Sequence, residues 1–172
     1  NTRIRGFAVT VRNSRPGIDT DLVLSRLDEA LGLIEQYTPH YFRHLQRDFS
    51  RIRYACRGAF FPADRTCMVE LTFVANPAFS LAEVAATIIH EGMHARLHRL
   101  GYSLEHADRA RQERFCRRAE IEFGSIVPGG EPVMHRATES LAIDDEDVAP
   151  EIDPELAARR VAEADAAARR GP

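Results

Sequence analysis

Between Ser80 and Gly101 the chain runs without proline through a stretch rich in Ala, Leu, Ile and Val. No other segment constrains the fold as strongly. Ser80-Leu81-Ala82-Glu83 has the form of a capping box, with Ser80 as N-cap and Glu83 three positions later. Gly101 follows Leu100 where a left-handed residue would close the helix. Ala82, Ala85, Ala86, Ile89, Met93, Leu97 and Leu100 recur at helical spacing and give the helix an apolar stripe. One long, buried helix is predicted, and His90-Glu91-Gly92-Met93-His94 lies in its middle. Side chains four apart project from one face, one turn from each other. His90 and His94 can therefore grip a single metal ion, while Glu91 can reach a water held on it. Bound Zn²⁺ lowers the pKa of a water from about 15.7 to about 7, and a neighbouring carboxylate can then take its proton. Glu91 projects about 100° around the helix from His90, so it reads as a general base and not as a ligand.

Catalytic zinc usually has three protein ligands and one open position. A glycine at position 97 and a histidine at position 100 would mark the metzincin layout. Leu97 and Leu100 stand there instead and exclude it. His98 lies one turn further along, but three imidazoles on one straight helix do not converge on one tetrahedral ion. A carboxylate from a later helix remains. Ser103 to Phe123 reads as that helix, with Ser103 as N-cap and Gly124 as its stop. Ala110, Glu113, Cys116 and Glu120 share one of its faces, and a carboxylate among Ala and Cys is unusual for a solvated face. Glu113 follows His94 by 19 residues, room for the end of one helix, a turn and two turns of the next.

From Thr66 to Phe123 the chain resembles the gluzincins, zinc peptidases that combine H-E-x-x-H with a downstream Glu on a second helix. The resemblance implies a compact α+β, zincin-like domain with a small mixed sheet and the motif-bearing helix packed on a second helix. It implies a Zn²⁺ site formed by His90, His94 and Glu113, with Glu91 as the catalytic base. Glu120 is then the partner of a ligand histidine or the alternative third ligand, since metal-bound imidazoles usually donate their other N–H. Thermolysin-type enzymes carry a carboxylate one turn after the third ligand, and Arg117 occupies that place here. Gluzincins also polarise the substrate carbonyl with a His or Tyr, for which Tyr102 and His135, in the loop after Gly130, are the candidates. In that family the strand before the metal helix lies at the edge of the cleft. Thr66 to Ala75 is rich in β-formers and ends at Asn76-Pro77, so it takes that place. Extended peptides add to such an edge by main-chain hydrogen bonds. The implied activity is hydrolysis of a peptide or protein substrate. The alternative is a zinc-containing domain without activity, acting as a partner-binding or regulatory module. A general base at Glu91 speaks for the enzyme, because a structural zinc site has no use for one.

Upstream, Ile4 to Val11 reads as a strand and Asp19 to Tyr37 as a helix buried through Leu22, Val23, Leu27, Ala30, Leu31 and Ile34. Pro39 starts a second helix to about Arg53, with Tyr41, Phe42, Leu45, Phe49 and Ile52 as its core face. Tyr54 to Phe61 reads as a short strand. The predicted order is β-α-α-β-β-α-α. His40, His44 and His106 have no ligand spacing and read as surface residues.

At 172 residues and 44% apolar the chain has the length for one real core. Residues 1–143 form the predicted domain. Residues 144–172 form an acidic loop, Asp144 to Asp147, and a terminal Ala/Arg-rich helix starting near Asp153-Pro154. A net charge of −3 points to neither nucleic acid nor a membrane surface as partner. All the basic residues are Arg, a mark of a GC-rich and bacterial genome. Cys56, Cys67 and Cys116 form no C-x-x-C pair, which suits small apolar roles in a reducing compartment. With no apolar run long enough to span a bilayer, the expected location is the cytoplasm, or outside it if a signal peptide has been removed.

Overall fold

The computed structural model describes residues 2–49, 51–55, 59–61, 65–102 and 106–143, together with 159 and 162. These form a mixed α+β architecture that is mostly helical, with one five-stranded sheet. The acidic loop, nearly all of the terminal helix, Cys56 and Ser103 lie outside the described residues.

The chain starts with a hairpin, β1 (Thr2–Ile4) and β2 (Phe7–Val11), where one strand was expected. Arg5 and Gly6 both take positive φ, 46° and 88°. A two-residue hairpin turn of this hand matches the twist of its strands. Arg5 is held in that backbone by ion pairs to Asp28 at 2.8 Å and Glu35 at 2.6 Å. Both acids belong to α1 (Thr20–Tyr37), which Asp19 caps by accepting from the Asp21 amide. Val23, Leu27, Ala30, Leu31 and Ile34 of α1 are buried, while Leu22 is exposed.

Pro39 begins α2 (Pro39–Asp48), which is shorter than expected. The residues expected to extend it form β3 (Arg51–Ala55), where Arg and apolar residues alternate with the period of a strand. β3 lies parallel to β2 on one side and to β5 (Thr66–Glu70) on the other. A short strand, β4 (Ala59–Phe61), pairs antiparallel with β5, so the order is β1-β2-β3-β5-β4. Two expectations change here. The strand before the helix that carries His90 and His94 is interior to the sheet, and β4 takes the edge. That strand also stops at Glu70, where the chain turns into a short helix, α3 (Leu71–Ala75). Thr72 Oγ1 donates to the Glu70 carboxylate at 2.6 Å across this junction.

Next comes α4 (Leu81–Arg99). Its start is the expected capping box: the Glu83 amide donates to Ser80 Oγ and the Ser80 amide to Glu83. Its end is the expected glycine stop. Gly101 has φ +90°, and the Tyr102 and Gly101 amides donate to the carbonyls of Leu97 and His98. Arg26 of α1 fixes the approach to α4, donating to the carbonyls of Val74 and Phe79 at 2.6 and 2.5 Å. Helices α1 and α2 pack against α4 on one side and α5 (His106–Ile126) on another. Val84, Ala85, Ile88 and Ile89 are almost wholly buried between them.

Gly124 does not end α5, which runs on to Ile126. Gly124 serves close packing instead. A Cβ at Gly130 would lie 1.9 Å from its carbonyl oxygen, so the start of α6 (Glu131–Leu141) can touch α5 only through glycine. The segment carrying His135 is therefore helix, where a loop was expected. No helix among the described residues is long and apolar enough to cross a membrane.

Candidate metal centre

The α4–α5 contact sets the candidate site. Apolar positions turn α4 toward the core, which leaves His90, Glu91 and His94 on the flank that meets α5. From α5, spacings of three and four bring Gln112, Glu113, Cys116, Arg117 and Glu120 to the same contact.

Glu113 lies between the two imidazoles. His94 Nε2 is 2.8 Å from its Oε1, and His90 Nε2 is 3.2 Å from its Oε2. The opposite ring nitrogens have other partners. His90 Nδ1 is 3.2 Å from Glu120 Oε2, and His94 Nδ1 is 3.4 Å from Gln112 Oε1. Both Nε2 atoms thus turn inward to one point, and both Nδ1 atoms are directed at acceptors. Arg117 continues the first chain, donating to Glu120 Oε2 at 2.9 Å and standing 4.0 Å from Glu113 Oε2.

Charge follows this geometry. Burial lowers the His90 pKa, but hydrogen bonds to Glu113 and Glu120 outweigh it and raise the pKa to about 10. Both ring nitrogens of His90 face carboxylate oxygens at 3.2 Å, an arrangement that favours its charged form. Glu113 feels burial raising its pKa, but the two imidazoles hold it well below the usual carboxylate range. Glu91 moves the other way: burial raises its pKa, against the pull of His90 and His94. Two nearby acids are thus set apart, one firmly ionised and one made more basic.

The donor set suits zinc. With bonds of about 2.0–2.1 Å, the donors of a tetrahedral ion lie about 3.3 Å apart. The two N···O spacings, 2.8 and 3.2 Å, need only a small opening to admit one. A sulfur donor stands close by: Cys116 Sγ and one nitrogen from each histidine all lie within 4.8 Å of one another. Cys116 is wholly buried, and burial and then the carboxylates of Glu113, Glu91 and Glu120 push its thiol pKa up. Sequence reasoning gave this cysteine an apolar role. Its place on the Glu113–Glu120 face was the signal that could have put it at the site.

Tyr102 and His135 are not brought to this cluster. Tyr102 is 44% exposed just beyond α4. His135 sits on the solvent face of α6, its side chain 76% exposed and 3.3 Å from Glu139. His40 and His44 lie on α2, where His40 pairs with Glu122 at 3.3 Å and His44 stands 3.3 Å from Arg96. His98 is exposed, and the His106 side chain lies outside the described residues. Gln112 is 2% exposed and was not foreseen as a partner of His94.

No protein-family model matches this chain, and comparison with curated proteins and with solved structures finds no match.

Proposed function

We propose that this protein is a zinc-dependent hydrolase, a peptidase of gluzincin type, with His90, His94 and Glu113 as metal ligands and Glu91 as general base. One observation carries the reading: both Nε2 atoms of the H-E-x-x-H motif converge on one carboxylate while both Nδ1 atoms are directed at other side chains. A chance motif on a surface helix has no reason for this double arrangement.

When bound, Zn²⁺ supplies Lewis-acid polarisation of a carbonyl and brings the pKa of a water to about 7. The remaining work falls to side chains. Glu120 and Gln112 keep the imidazole protons at Nδ1, which leaves each Nε2 as a donor. Glu113 adds an anionic oxygen. Glu91, made more basic by burial, accepts a proton from the attacking water and passes it to the leaving amine. An extended peptide could line up along β4, the terminal strand of the sheet on the side nearest α4.

A second reading, a zinc domain that binds a partner without catalysis, is favoured by Cys116. A sulfur drawn onto the metal would fill the fourth position and leave none for water. Cobalt substitution separates the two, since a thiolate ligand adds a charge-transfer band that N and O ligands do not.

The test of function has two parts. Protein made with zinc present should carry about one equivalent, and His94→Ala should lose it while staying helical. Glu91→Gln should keep zinc and fold but lose about 10²–10⁴-fold in the rate of peptide hydrolysis. Stoichiometric zinc in His94→Ala, or full activity in Glu91→Gln, would reject the assignment.

A further inference from the structure

Arg117 occupies the position, one turn after the third ligand, that a carboxylate fills in thermolysin-type enzymes. Its surroundings give it a task. Nη1 donates to Glu120 Oε2 at 2.9 Å, and that same oxygen faces His90 Nδ1 at 3.2 Å. Arg117, Glu120 and His90 therefore form one chain, with a single carboxylate oxygen as its middle link. Glu120 stands on the same face of α5 as Glu113, seven residues or about two turns further along.

The guanidinium does not sit there for its own comfort. Its Nε is buried without a hydrogen-bond partner, an unfavourable state for a charged donor. Rotating the side chain toward solvent would relieve Nε and give up the bond to Glu120. The observed orientation keeps the bond and accepts the orphan. An arginine kept only for solubility or for helix propensity would take the other choice.

We infer that Arg117 is a positioning residue for the metal centre. It orients Glu120, so that Glu120 keeps the His90 proton at Nδ1 and turns Nε2 toward the metal. Arg117 and Glu120 together replace the single carboxylate that the resemblance leads one to expect at position 117. The inference rests on the metal-centre reading above. It goes beyond that reading by locating the control of zinc affinity two side chains away from the ion.

The experiment measures zinc affinity by competition with a chromogenic chelator. The proteins are wild type, Arg117→Met, Arg117→Lys, Glu120→Gln and the double variant Arg117→Met/Glu120→Gln, each checked for helicity by circular dichroism. Removing a partner behind a ligand typically weakens metal binding about 10–100-fold, and Arg117→Met should fall in that range. Arg117→Lys, which still offers a cation, should recover most of the loss. In the Glu120→Gln background Arg117→Met should have little further effect, because its route to the metal is already cut. A general loss of packing would instead add in full to the loss from Glu120→Gln. Long-range ¹⁵N–¹H spectra of the zinc-loaded protein should show His90 as the Nδ1–H tautomer in wild type. In Arg117→Met the His90 signals should broaden or shift while those of His94, held by Gln112, do not.

Equal zinc affinity in folded Arg117→Met and wild type overturns the role of Arg117 and leaves the metal centre standing. Fully additive losses in the double variant overturn it as well. If wild type itself binds no zinc, the metal-centre reading fails and takes this inference with it.

Discussion

Gly92, inside the H-E-x-x-H motif, should be replaceable only when space is made for it on α2. It sits where α4 crosses α2. A Cβ there would lie 2.2 Å from Leu45 Cδ2, 3.6 Å from Leu45 Cγ and 3.8 Å from Phe49 Cζ. Leu45 and Phe49 are 2% and 4% exposed, so the Leu45 methyl has little room to move away. Overpacking of this kind costs about 1–3 kcal/mol. Alanine regains about 0.8–1 kcal/mol over glycine in a helix interior. Gly92→Ala should therefore lose up to about 2 kcal/mol, with Tm falling about 2–4 °C for each 1 kcal/mol in a domain of this size. Leu45→Ala removes the obstructing methyls at its own cost of about 2–5 kcal/mol. On that background Gly92→Ala should change sign and stabilise, because only the helix term remains. Urea unfolding of the four metal-free proteins gives the cycle. If Gly92→Ala is equally costly on both backgrounds, Leu45 is not the obstacle and the packing argument is wrong.

In the metal-free protein, pH should act on stability from two sides. His90, raised from 6.5 to about 10, contributes stability that is complete below 6.5 and is lost as pH rises through about 10. Glu113, lowered from 4.5, contributes stability that is complete above 4.5 and is lost as pH falls through its folded value. Urea midpoints should thus be highest between these limits, and His90→Ala should remove much of the alkaline decline; an unchanged alkaline limb in that variant would contradict the ion-pair account. At the start of α4, Ser80→Ala should cost about 1 kcal/mol through loss of the N-cap. Glu83→Ala should cost more than an ordinary surface change, since Glu83 also pairs with Arg136 of α6 at 3.0 Å. A thermal shift indistinguishable from wild type in both variants would show that α4 does not depend on its capping box.

What the sequence makes legible follows from the range of the interactions involved. The bounds of α4 rest on Ser80, Glu83 and Gly101, whose hydrogen bonds all close within five residues, so local pattern suffices to place them. Placing Glu113 opposite the histidines needs only helix periodicity and a count along the chain. Elements that failed to follow from sequence depend on distant partners. Thr66 to Ala75 is rich in β-formers, and nothing local marks Glu70 as its last strand residue; the limit is set by β3, which pairs with Thr66–Glu70 and no further, while β4 pairs only with Thr66–Met68. Gly124 looks like a helix stop because glycine commonly is one, yet it is retained for contact with Gly130 across a turn. At the site the same division holds. His90, Glu91 and His94 form a local motif, whereas Gln112, Cys116 and Arg117 acquire meaning only once α5 lies against α4. Their residue types give no warning: a glutamine, a cysteine and an arginine on a charged helix suit many surfaces. The informative quantity was the phase of α5, fixed by which of its faces is apolar. Ala119 and Phe123 are buried on that helix, Cys116 is buried one turn before Ala119, and Glu113 and Glu120 flank the same stripe. Carboxylates bordering an apolar stripe next to a pair of histidines on the neighbouring helix are costly to desolvate. That cost is offset once the imidazoles, the guanidinium and, under the proposed function, a divalent cation share the space with them.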